Sequence, residues 1–216
     1  MTDRRLTFLR HWLSAGVLSL SLAPGGCVAA SGGFSHADFD RLPRDARQEI
    51  FDAENDLVIA RNRQDAAEDR NQKARRASTE LELRWRRVNQ RLGATGQAAR
   101  APLARKVFDA QSTYLDSEVR LTNEEIRAAH METELSRARL ALARQRNLAR
   151  VGRVTGASLK PFEESVKAWE AASKAASVAT TAVRTRAESD LDAWKTAEDE
   201  YARASGGDYD TVVWGD

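Results

Sequence analysis

The chain of 216 residues is poor in the residue types that build several protein classes. It holds one cysteine, which excludes a disulfide framework and a cysteine-rich zinc module. Four prolines and 12 glycines exclude collagen-like and proline-rich architectures. Aromatic residues make up only 6%, and much of the 42% hydrophobic share is alanine, which buries too little area to fill one thick core. The three histidines, His11, His36 and His130, have no second His or Cys at ligand spacing, so no metal site is expected. No uncharged apolar run reaches the roughly 20 residues of a membrane-spanning helix. An excess of one charge is missing too, with 34 Lys+Arg against 32 Asp+Glu. What is present in quantity is Ala, Glu, Arg and Leu, the composition of long helices and coiled coils rather than of a disordered chain.

Residues 1–27 differ from all that follows. Arg4, Arg5 and Arg10 form a basic head, Trp12 to Ala23 is an uncharged, mostly apolar run of 12, and Pro24-Gly25-Gly26 breaks it just before Cys27. Basic head, short apolar middle and small-residue zone together make a secretory signal peptide over residues 1–26. Leu22-Ala23-Pro24-Gly25-Gly26-Cys27 resembles the lipobox of bacterial lipoproteins, although Pro24 stands where that family usually has an aliphatic residue. The resemblance covers the leader alone. It implies diacylglycerol on Cys27, and Val28 in place of Asp after the cysteine implies the outer membrane, facing the periplasm. More than one acyl chain would make such an anchor stable. A second cleavage is open: Val28-Ala29-Ala30 before Ser31 satisfies a small-x-small site, which would give a soluble periplasmic protein. Loss of residues 1–26 removes three of the 34 bases and one of the 32 acids, leaving a formally neutral remainder.

After a small and polar stretch, read as a flexible tether over 27–42, three periodic segments are expected as helices: about 43–92, 102–151 and 158–204, followed by a tail over 205–216. Prolines sit near each start, and Gly93 and Gly152 follow the first two as stops. The first segment carries a heptad seam, Ile50, Leu57, Gln64, Asn71, Ser78, Trp85 and Leu92 on one side. On the other run Ala46, Ala53, Ala60, Ala67, Ala74, Leu81 and Val88. The second segment carries two adjacent seams, one through Val107, Leu121, Leu135 and Leu142, the other through Leu115, Ala129, Leu140 and Ala143. It should therefore touch two neighbours. The third offers Phe162, Val166, Trp169, Ala176, Val183, Ala187, Trp194 and Tyr201, flanked by Ala168, Ala172, Ala175, Ala179 and Ala182.

Charge orients the first pair. Residues 38–56 hold seven acids and three bases, and residues 135–160 seven bases and no acid. Residues 70–91 hold eight bases and two acids, and residues 103–134 seven acids and four bases. A hairpin about residue 97 sets acidic against basic in both halves, and places Ala53 near Leu142, Ala60 near Leu135, Ala74 near Leu121 and Trp85 near Ala110. Complementarity with the helix macrodipoles acts in the same direction. The expected fold is all-α: an elongated up-down-up bundle of three long helices with coiled-coil-like, Ala-rich packing.

Motifs for chemistry are sparse. There is no G-x-S-x-G, no phosphate-binding glycine loop and no dinucleotide fingerprint, so neither an enzyme nor a bound cofactor is expected. Adjacent Glu124-Glu125 and Glu163-Glu164 point in different directions on a helix and form no acid/base pair. Gln64, Asn71 and Ser78, echoed by Ser117 and Glu124, mark a polar zone in the hairpin that either fixes register or is partly solvated. His130 is expected near Gln64 and Asn123. The basic residues at the far turn, among them Arg87, Arg91 and Arg100, are candidate contacts for an acidic envelope protein or an anionic polymer, not for nucleic acid. In the tail, Tyr209 and Trp214 among three aspartates are candidates for adding a strand to a partner. The function expected is that of a lipid-anchored cell-envelope scaffold or spacer; the alternative is a soluble periplasmic chaperone or transport adaptor. A homo-oligomer is a further candidate assembly.

Overall fold

The chain divides into two units, Met1–Gly33 and Phe34–Asp216. The computed structural model describes residues 34, 36–94, 100–154 and 156–206, all in the second unit. The leader with Cys27, and the tail with Tyr209 and Trp214, lie outside the described residues.

Four helices follow in order: α1 (His36–Arg41), α2 (Arg44–Ala94), α3 (Ala101–Arg150) and α4 (Lys160–Ser205), the last preceded by a 3-10 turn over Gly156–Leu159. There is no strand among the described residues. α2, α3 and α4 have 51, 50 and 46 residues, so each runs for about 70–77 Å at 1.5 Å per residue. The turn chemistry explains where they stop. Gly152 takes φ of 72°, a left-handed conformation that favours glycine. Its N–H reaches Ala149 O at 3.1 Å while the Arg153 N–H reaches Leu148 O at 2.9 Å. That bond pair is a Schellman motif, which satisfies the last carbonyls of α3. α4 ends on a second left-handed glycine, Gly206 with φ 68°, whose N–H bonds Ala202 O in the single-bond αL motif. Gly93, expected as the stop of the first helix, lies instead inside the last turn of α2. Prolines 102 and 161 open α3 and α4, where a missing N–H costs no intrahelical bond.

α3 packs against both α2 and α4, whereas α2 and α4 scarcely touch each other. The two seams of the second segment thus meet two neighbours. Along the first interface, Arg150 lies against Asp45 and Glu49, Arg144 against Glu54, Arg63 against Glu132 and Arg70 against Glu125. Along the second, Lys106 meets Glu200, Arg139 meets Glu170 and Arg146 meets Glu163.

Apolar packing concentrates in two clusters. One joins Leu81, Val88 and Leu92 of α2 with Val107, Phe108 and Leu115 of α3 and Ala197 and Tyr201 of α4. The other joins Leu42, Ala46, Ile50 and Leu57 with Leu140, and Phe34 and Phe39 pack onto it. Phe39 meets Phe34 at 6.2 Å and Phe51 at 5.2 Å, both edge to face. This corrects part of the expected tether: residues 36–41 are helical and are followed by a buried Leu42, because Phe34, Phe39 and Leu42 pack onto the apolar cluster at the start of α2. Between the clusters α2 presents the small buried side chains Ala60, Ala67 and Ala74. Of the alanines flanking the α4 seam, Ala168, Ala175 and Ala182 are exposed, since α4 has one neighbour and not two.

Candidate functional site

The middle of the bundle is polar. Asn71 is buried and donates from Nδ2 to Thr122 Oγ1 at 2.9 Å and Asn123 Oδ1 at 3.0 Å. Its own Oδ1 accepts from Arg75 Nε at 2.8 Å. The Thr133 hydroxyl lies 3.3 Å from Gln64 Oε1. On the other side of α3, Ser117 donates to the buried Asp190 Oδ2 at 2.5 Å, and Arg186 Nε donates to the same oxygen at 3.1 Å. Gln64, Asn71 and Ser117 thus sit in bonded interface positions, as register devices do. Ser78 lines a separate shallow groove of about 430 Å³, where Arg105 stacks over Trp85 at 5.1 Å. His130 is exposed and Gln64 turns to Thr133 instead, so the expected contact of His130 with Gln64 is not made.

Because α2 and α4 flank α3 and scarcely touch each other, a groove of about 470 Å³ opens between them over the mid-part of α3. Its floor is Ala67, Ala128 and Ala129, and its α4 wall carries Ser173, Ser177 and Thr181. At one end Arg63 of α2 pairs with Glu132 of α3. At the other, Arg70 of α2 donates Nε and Nη2 to Glu125 Oε2 at 3.1 and 2.9 Å, and Arg184 of α4 donates Nη2 to Glu125 Oε1 at 3.0 Å. Glu125 is largely buried, its side chain 17% exposed, whereas both arginines are about half exposed. One carboxylate therefore ties the two outer helices to the central one, with guanidinium groups on its solvent side.

One turn pair along α3, Glu118 has its pKa raised above the usual carboxylate range. Burial is the main cause and the negative Glu125 adds to it, while Arg70 opposes. Burial also raises Tyr114, with Glu118 contributing, and its ring stacks on Trp194 at 5.5 Å. Among the described residues no group of three or more His, Cys, Asp or Glu is placed to hold a metal ion. No helix among them is long and apolar enough to cross a membrane.

The arginines named from the sequence are not brought into this groove. Arg87 is exposed near the end of α2, Arg91 is half-buried in its last turn, and Arg100 immediately precedes α3 with a buried Nη1. Sequence reasoning missed Arg63, Arg70, Glu125, Glu132 and Arg184. The hairpin register held the signal for the first four, since a turn about residue 97 brings Arg63 within one residue of Glu132 and Arg70 within one residue of Glu125. No protein-family model matches the chain, and no curated protein or solved structure matches it.

Proposed function

We propose that this chain is a lipid-anchored helical protein of the cell envelope with a scaffolding or spacing role and a protein- or polymer-binding surface. The observation that carries this reading is the leader: Arg4, Arg5 and Arg10, then the apolar run from Trp12 to Ala23, then the sole cysteine at Cys27 directly after Pro24-Gly25-Gly26. In this reading Cys27 takes the lipid, residues 1–26 are removed, and the anchored protein faces the periplasm from the outer membrane. The three long helices form an up-down-up bundle, supported by the order of the ion pairs: numbers fall along α3 as they rise along α2 and again along α4. Such a bundle would hold its far end about 70 Å from its near end. Arg87, Arg91 and Arg100 near that far end, with Tyr209 and Trp214, are the proposed contacts for an envelope partner. A scaffold is favoured over a client-gripping chaperone because the mid-bundle groove, floored by three alanines, is walled by arginines, carboxylates and hydroxyls and holds no large apolar side chain. No catalytic step and no cofactor belong to this role.

The test is expression of the full precursor beside Cys27→Ser. Membrane fractionation and an acyl mass shift in the parent, both lost in the variant, are the expected result. Identical solubility and mass in the two would favour the soluble form released after Ala30.

A further inference from the structure

We infer that the groove between α2 and α4 is a binding site for a phosphate-bearing ligand that presents two phosphate groups about two helical turns apart. The site is organised in two layers. Arg63 with Glu132 forms one; Arg70 and Arg184 with Glu125 form the other. Seven residues separate the layers on both α2 and α3, which is about 10 Å along the helix. Three guanidinium groups and two carboxylates line the groove, one positive charge in excess, and Glu118, outside the lining, also faces Arg70.

Donors are left over at both layers. A guanidinium has five N–H groups in a planar fork. Arg184 spends Nη2 on Glu125, and Arg63 spends Nη1 on Glu132, which leaves Nε and the second Nη of each without a protein acceptor among the described residues. The largely buried carboxylate of Glu125 bonds Arg70 and Arg184 from opposite walls, which orients both before a ligand arrives, and preorganised forks of this kind suit oxyanions. Along the α4 wall, Ser173, Ser177 and Thr181 follow one another at single-turn spacing, about 6 Å, and lead towards Arg184. Thr181 and Thr180 donate back into α4, to Ser177 O at 3.1 Å and Ala176 O at 2.9 Å. The hydroxyls of Ser173 and Ser177 remain to bond an anion.

The lining also decides the ligand class. Arg with Ser or Thr is the side-chain set that recognises phosphate oxygens. The alanine floor offers no large apolar pocket for a peptide anchor, and no aromatic face lines the groove on which a base could stack. The chemistry is thus that of the phosphate itself, carried by a linear phosphate polymer or by clustered phospholipid headgroups. The inference holds whether or not Cys27 carries a lipid.

The experiment titrates the full-length protein, calorimetrically, with a short linear polyphosphate, inorganic phosphate and poly-glutamate. In parallel it measures co-sedimentation with phosphatidylglycerol-containing and pure phosphatidylcholine vesicles. Polyphosphate is expected to bind one site at least ten-fold more tightly than inorganic phosphate, with affinity falling as salt rises. Arg184→Gln and Arg63→Gln should each weaken it ten-fold or more, the Ser173→Ala/Ser177→Ala pair several-fold, and Lys167→Gln not at all, with helicity and melting temperature retained. The serine pair and Arg63→Gln stand in if Arg184→Gln loses the fold. Vesicle binding that needs phosphatidylglycerol and the same arginines would give headgroups as the source; its absence beside polyphosphate binding would give the soluble polymer. Equal affinity for poly-glutamate, equal affinity for inorganic phosphate, or indifference to both arginine variants would each overturn the proposal.

Discussion

Single side chains in this bundle carry more specificity than stability. Asn71 illustrates it: an apolar residue at that position would bury more area, yet the amide fixes α2 against Thr122 and Asn123 at one height and no other. Asp190 does the same for α4 through Ser117. Most of the interhelical ion pairs are half exposed, and each is worth under about 1 kcal/mol. Glu118 differs, since it lies half-buried beside Glu125 and Tyr114, with Arg70 as its opposing cation. Its folded pKa is raised, so the folded chain binds more protons than the unfolded chain above the ordinary glutamate range. Stability from this group therefore falls as pH rises out of that range and is restored on acidification. Glu118→Gln should accordingly be more stable than the parent at pH 7, with the difference shrinking towards pH 4. Urea denaturation of both proteins across that interval reads it directly; a difference that does not change with pH would contradict the assignment.

At the scale of the helices, most of what the structure contains was legible beforehand, and the reasons differ by element. The seam of α2 is buried where the heptads put it, from Ala46 and Ile50 through Asn71 to Leu92, because a seven-residue repeat sustained over seven heptads leaves only one face to bury. α1 was not legible. Six residues have no periodicity to read, and the turn persists only because Phe39 and Leu42 reach the apolar cluster at the start of α2. The alanines beside the α4 seam could not be sorted into buried and exposed, since alanine suits a helix surface as well as an interface. Of the candidate groove, the ion pairs between α2 and α3 followed from register, but Arg184 did not, because no charge block fixed the height of α4 on α3. The glycines give the clearest contrast. Gly152 is held at positive φ, whereas Gly93 is helical with open space where a Cβ would sit. Gly152→Ala should cost about 1 kcal/mol or more, and Gly93→Ala should add about 0.5–1 kcal/mol, both by denaturant titration. Equal effects of one sign would mean that α3 does not end on the left-handed glycine.

For the unit as a whole, the decisive feature is that α3 is buried on two sides and each outer helix on one. Stability is then shared unequally between two interfaces that meet only through α3. The cluster around Phe108 draws on all three long helices, with Tyr201 of α4 only 1% exposed among Leu92, Val107 and Phe108. Elsewhere α4 is held by Ser117 to Asp190, by Glu125 to Arg184 and by small residues such as Ala176, Thr180 and Ala187. Removing α4 by ending the chain at Val154 takes Tyr201 and Ala197 out of that cluster and uncovers the side of α3 that carries Ser117 and Glu124. Loss of a fully buried aromatic side chain alone costs about 3–5 kcal/mol, which for a unit of this size corresponds to a melting temperature lower by about 6–20 °C. The truncated chain should also bind a hydrophobic dye that the parent does not, because apolar residues on the α3 face of Ser117 and Glu124, such as Leu121, lose their cover. If the α2–α3 hairpin melts with the parent and stays dye-silent, α4 is an appendage, and the groove it walls is not a fixed part of the fold. If it melts early, the two interfaces fold as one cooperative body, and the Arg70–Glu125–Arg184 link has a rigid frame on both sides.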